Sequence, residues 1–199
     1  MPDFTDPAQF PAFYELPSDA EIANAPAEGL AGAAWWMLAQ VKVNMTLTKP
    51  TLIVTDRRGL DFAVTFEDSS MDLKGYRKGY TMVVPRAQRT DREEGKKAVM
   101  RIEAKDCKSV QVIPAKMAQL LELGQVLDMM SADDGAEGKV QKCAACGKTE
   151  GSLARCTGCG TVRYCSKTCE QECQLKGWSE LGHKSNCKSL KAIKTIWPS

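Results

Sequence analysis

Eight of the nine cysteines in this 199-residue chain fall between positions 143 and 187, and the chain's single histidine falls among them. The order is Cys143-x2-Cys146, Cys156-x2-Cys159, Cys165-x3-Cys169, Cys173, then His183-x3-Cys187. A C-x2-C unit places two sulfurs on one tight turn. Gly147, Gly158 and Gly160 relieve the backbone beside the two such turns. Residues four apart on a helix share a face, so Cys165 with Cys169, and His183 with Cys187, are read as helical pairs. Four pairs make two tetrahedral sets. Thiolates with one imidazole are the donors that zinc prefers.

Local cysteine density can also mean a secreted disulfide scaffold. Here the count is odd, the pairs are close, and the opening Met-Pro-Asp-Phe-Thr-Asp lacks the basic-then-apolar form of a leader. The expectation is two zinc ions per chain in a reducing compartment, cytoplasm or nucleus. No apolar run has the length of a membrane span, and none is expected. Spacing alone leaves the joining open. Sequential pairs would build two stacked fingers. Alternating pairs would put Cys143, Cys146, Cys165 and Cys169 at one zinc, and Cys156, Cys159, His183 and Cys187 at the other. Cys173 competes with Cys169, but on a helix running from Cys165 it would lie eight residues on, roughly 12 Å along the axis. Ligands of one zinc have sulfurs under roughly 4 Å apart, which favours Cys169 unless the helix begins later.

The paired C-x2-C units, Tyr164-Cys165-Ser166, Cys173-Gln174, Trp178 and His183-Lys184 before Cys187 together resemble the MYND zinc finger. The resemblance covers about a quarter of the chain, and the overall arrangement is similar to small MYND-type proteins of fungi. It implies a cross-braced fold, hence the alternating scheme. It also implies a protein-interaction module that takes short proline-containing peptides beside its helix, with Ser166, Gln174 and Trp178 as the matching contacts. One departure stands out. The family has Cys-Gln at the helical ligand, whereas Cys169 is followed by Glu170 and Cys-Gln comes one turn later.

The rest of the chain reads as an α+β protein: a small antiparallel β-barrel or sheet, with an OB-like form as one candidate, ahead of the finger. Residues 1–27 form an acidic, proline-containing arm, read as an extended, mobile tail, with packing of Phe10, Phe13, Tyr14 and Leu16 onto the domain as the alternative. Ser18 and Glu21 have capping-box spacing for a short helix. Ala27 to Ala39 is read as helical. Residues 28–130 make the β-rich domain, with five strands over roughly 41–113. Val41, Val43, Met45 and Leu47 alternate with polar residues, as do Phe62, Val64 and Phe66. Lys78-Gly79-Tyr80-Thr81 leading into Met82-Val83-Val84 resembles the third strand of an OB-fold. An apolar helical period follows Pro114. Residues 131–139 read as a linker, 140–190 as the finger and 191–199 as a tail.

The expected function is a zinc-binding protein–protein interaction adaptor, without catalysis. No Gly-rich phosphate loop occurs, and residues 1–135 contain no histidine. The alternative is nucleic-acid binding by the β domain. Residues 74–108 hold eleven Lys or Arg against five acids, and Lys74, Tyr76, Arg77, Lys78 and Tyr80 mix cations with aromatic faces.

Overall fold

A computed structural model describes residues 2–24, 34–130, 142–149, 152–165, 170–180 and 182–198. The chain divides into two compact units, Phe4–Ala118 and Gln119–Ser199, the latter grouped with Met1–Asp3.

The first unit is a curled six-stranded sheet. Its strands are β1 (Trp36–Asn44), β2 (Thr51–Thr55), β3 (Asp61–Phe66), β4 (Thr81–Pro85), β5 (Met100–Ile102) and β6 (Gln111–Ile113). They lie in the order β5-β3-β2-β1-β4-β6. Period-2 alternation brings Phe62, Val64 and Phe66 into the core from β3, and Leu52 and Val54 from β2. Lys49-Pro50 ends one strand before the next begins, so the sheet has six strands where five are expected. The sheet is also mixed rather than wholly antiparallel. β3 pairs with β5 in parallel, Val64 opposite Met100, and β6 takes the outer edge of β4. Among the described residues the ladder stays open between its end strands, which makes a half-barrel. A register irregularity between Val41 and Val43 in β1 marks a bulge, the kind of break that bends a strand and helps a sheet curl.

Two expectations need correction here. Of the segment read as helical, 27–33 lies outside the described residues, but Trp36–Ala39 belong to β1. Met37, Leu38 and Ala39 are buried in succession, because β1 is a central strand covered on both faces. Such a run has no period by which strand and helix can be told apart. The second correction concerns the arm. Phe4, Phe10, Phe13 and Leu16 are buried. Phe13 stacks on Phe62 with centroids 4.0 Å apart, and Phe10 lies 5.9 Å from Trp36. The arm is thus part of the sheet's core. The capping box forms as expected: Ser18 N–H donates to Glu21, Glu21 N–H to the Ser18 hydroxyl, at the start of α1 (Asp19–Asn24).

Asp56 pins the arm to the turn between β2 and β3. Its buried carboxylate accepts from the N–H groups of Phe13 (3.0 Å), Arg58 (2.9 Å) and Leu60 (2.8 Å). Asp56→Ala strands these donors and is expected to destabilise the sheet unit by about 3 kcal/mol. Asp56→Asn, which keeps an acceptor oxygen, should cost less. Urea denaturation of the two variants measures the difference.

The second unit contains α2 (Met117–Met130, from Gln119 on), the hairpin of β7 (Leu153–Arg155) and β8 (Arg163–Cys165), α3 (Glu170–Leu175), a π-helical turn (Lys176–Glu180) and α4 (His183–Ile196). Residues up to 130 were expected in the β domain. The stretch from Gln119 instead groups with the C-terminal unit. Leu123 packs into its core, and the Gln119 amide bonds to Asn186. The expected linker, 131–139, lies outside the described residues. No helix of the described residues is long and apolar enough to cross a membrane.

Candidate zinc centres

Each C-x2-C unit folds into the same turn. Gly147 N–H donates to the Cys143 carbonyl and Gly160 N–H to that of Cys156, both at 2.8 Å. Both glycines have positive φ, 74° and 66°, which a side chain would disfavour. The second turn sits at the tip of the β7–β8 hairpin, where Cys156 N–H donates to Val162. Ala144 N–H donates to the Arg163 carbonyl and ties the first turn to β8. This hairpin decides the joining. It carries Cys165 back to the first turn and leaves Cys156 and Cys159 to meet α4.

Two groups of four result. Cys143, Cys146, Cys165 and Cys173 form the first, and Cys156, Cys159, His183 and Cys187 the second. Within each group every ligand atom lies within 4.8 Å of the others. Cys146 and Cys165 have sulfurs 3.5 Å apart, Cys156 and Cys187 3.9 Å, and Cys159 Sγ is 3.4 Å from His183 Nε2. A tetrahedral zinc with ordinary bond lengths needs about 3.8 Å between sulfurs and about 3.6 Å from sulfur to nitrogen. The residues fit the ion, and each group can hold one.

The pairing is the alternating one. His183 and Cys187 share a face of α4 as expected. Cys169, expected as the fourth ligand of the first set, lies outside the described residues. The fourth sulfur among the described residues is that of Cys173. On a helix running through Cys165 it would lie too far away. Cys165 instead belongs to strand β8, and the described residues of α3 run from Glu170 to Leu175. From that helix the Cys173 sulfur reaches the cluster.

Proton affinities in the groups suit a cation. Burial raises the Cys143 thiol, but N–H groups of Cys146, Ala145 and Cys165 outweigh it and bring it to about 6. The neighbouring thiols move the other way. Cys165 is pushed up to about 11, first by its bond to Cys146, and Cys173 to about 12 by burial. Thiolates this close repel one another, and a dication removes that repulsion. Burial lowers His183, which keeps its imidazole neutral and free to ligate.

Set beside known families, the segment from Cys143 to Cys187 matches one, the MYND finger. Residues 143–187 are a MYND finger. No curated protein matches the chain. A MYND finger is a zinc-binding protein-interaction domain, and the two cross-braced groups supply its zinc sites.

Of the expected peptide contacts, Ser166 lies outside the described residues. Gln174 is exposed at the end of α3, and Trp178 is 40% exposed on the π-helical turn of the MYND finger. Between them Leu175, which spacing did not single out, is 65% exposed. Trp178 is also anchored, its ring edge-on to His183 at 5.2 Å. Part of the indole is thus packed against the second zinc group and part is exposed.

The five residues of the nucleic-acid alternative do not form one face. Lys74, Arg77 and Lys78 are exposed and Tyr80 is half-buried. Tyr76 is buried in the sheet core, edge-on to Phe66 at 5.6 Å, and burial pushes its hydroxyl up to about 12. It has no free ring face for a base. Aromatic residues flanked by lysines read alike in sequence whether they point in or out.

Proposed function

We propose that this protein is an adaptor whose MYND finger holds a short proline-containing peptide against Gln174, Leu175 and Trp178. The carrying observation is a large, exposed indole set edge-on against His183 at its base. Trp178 follows α3, whose Cys173 belongs to the first zinc group, and leans on His183 of the second. Its presentation therefore depends on both metals. A tryptophan face is a good seat for proline rings, and an extended proline segment loses little entropy on docking. Leu175 adds apolar area, and the Gln174 amide offers a donor and an acceptor to a peptide backbone. Four protein ligands at each ion leave no open position for water, so the metals serve structure rather than catalysis.

The experiment is capture of partners by the full, zinc-loaded chain after nuclease treatment, followed by titration with synthetic segments of the captured proteins. Trp178→Ala is expected to weaken binding tenfold or more while zinc content stays at two ions, in the range of an aromatic hot spot. Partners that resist Trp178→Ala, or that vanish with nuclease, overturn the reading and return attention to the basic loop around Lys74, Arg77 and Lys78.

A further inference from the structure

Tyr164 is the middle residue of β8, between Arg163 and Cys165, and it is 3% exposed. Neighbouring side chains on a strand point to opposite sides. Cys165 joins the first zinc group. Tyr164 sends its hydroxyl to the second, 2.6 Å from His183 Nδ1. The other nitrogen of that ring, Nε2, is the atom that meets the thiols, 3.4 Å from Cys159 Sγ. A ligating nitrogen must be bare, and a neutral imidazole carries one proton. That proton therefore sits on Nδ1 and is donated to the Tyr164 oxygen.

The tyrosine ring is itself held in place. A Cβ built on Gly177 would lie 2.2 Å from Tyr164 Cε1 and 2.7 Å from its Oη. The ring is thus seated flush on the backbone of the π-helical turn, and only glycine permits that approach. Trp178, the next residue, closes the arrangement by lying edge-on to His183.

We propose that Tyr164 is a positioning residue for the second zinc: its hydroxyl selects the His183 tautomer that presents Nε2 to the ion, and Gly177 keeps that hydroxyl in place. Partners of this kind behind a metal-bound histidine fix its orientation and raise its basicity as a ligand. Two adjacent residues of one strand, Tyr164 and Cys165, thereby serve both metal centres, so the second ion is held partly by a strand whose own cysteine belongs to the first.

Tyr164→Phe tests this in the full chain, since it keeps the ring and removes only the oxygen. Zinc loss to a coloured chelator is expected to split into two phases. One ion should leave about 10–100-fold faster than in the unaltered protein, the range for loss of such a partner, and the other at the unaltered rate. With cobalt in place of zinc, the visible bands of the site with three sulfurs and one nitrogen should shift, while those of the four-sulfur site stay put. Gly177→Ala, which displaces the ring without removing the hydroxyl, is expected to act in the same direction. Unchanged release rates and an unchanged cobalt spectrum in Tyr164→Phe would overturn the assignment. Equal acceleration of both ions, or loss of the folded finger, would make Tyr164 a packing residue and overturn it as well.

Discussion

Cys173→Ser is expected to leave the protein with one tightly held zinc instead of two, whereas Cys169→Ser keeps both. The four described sulfurs of the first group, from Cys143, Cys146, Cys165 and Cys173, already fill a tetrahedral site. Removing the thiolate on α3 opens that site and frees the helix that carries Gln174. The consequence for folding is large. The core of this unit, which includes Leu123, Val162, Tyr164 and Leu190, also contains Cys143, Cys159 and Cys173. A core built partly of ligands lacks the apolar burial to stand alone. Structural zinc contributes about 10–16 kcal/mol of apparent binding free energy in isolated fingers, and that energy is largely folding energy. Metal analysis gives the stoichiometry. Limited proteolysis should show new cleavage after residue 142 in Cys173→Ser, with the sheet unit intact. Zinc lost from Cys169→Ser and kept by Cys173→Ser would reverse the assignment.

The second large effect lies in the other unit. Phe13→Ala is expected to destabilise the sheet by about 3–5 kcal/mol, the range for removing a fully buried phenylalanine. That is a sizeable share of the roughly 5–15 kcal/mol that holds an ordinary domain together. Phe13 is fully buried and stacked on Phe62. Its neighbour Tyr14 is 57% exposed and touches Arg89 with its ring. Tyr14→Ala should cost under about 1 kcal/mol, because the Arg89 guanidinium also bonds the Tyr14 main-chain carbonyl, which the substitution keeps. Chemical denaturation followed by tryptophan fluorescence separates the two. Equal and small effects would mean that the arm adheres to a sheet stable without it.

Much of the finger was legible because its signals are local. Two sulfurs on a C-x2-C turn, a glycine just past each turn, and a His–Cys pair one helical turn apart are set by a few consecutive dihedrals. The same holds for the Ser18–Glu21 box and the alternation of Phe62, Val64 and Phe66. The place of Cys173 is a signal of the opposite kind. Its distance from Cys165 depends on where strand β8 stops and α3 starts, and that is settled by what β8 pairs with. Tyr164 carried no signal of its own beyond the family motif. Its partner, His183, lies nineteen residues away.

The sequence by itself determined two zinc sites of thiolate and imidazole, the turns that present most of their ligands, and a β-rich unit ahead of them. Tertiary structure decided which ligand pairs share an ion, that β5 runs parallel to β3, that the acidic arm is core, and that Tyr76 faces inward. The division has one physical cause. Spacing along the chain constrains groups within a turn or two, where backbone geometry leaves few choices. Which distant segments come together depends on burying apolar area and satisfying backbone groups across the whole unit, and many arrangements share the same local pattern.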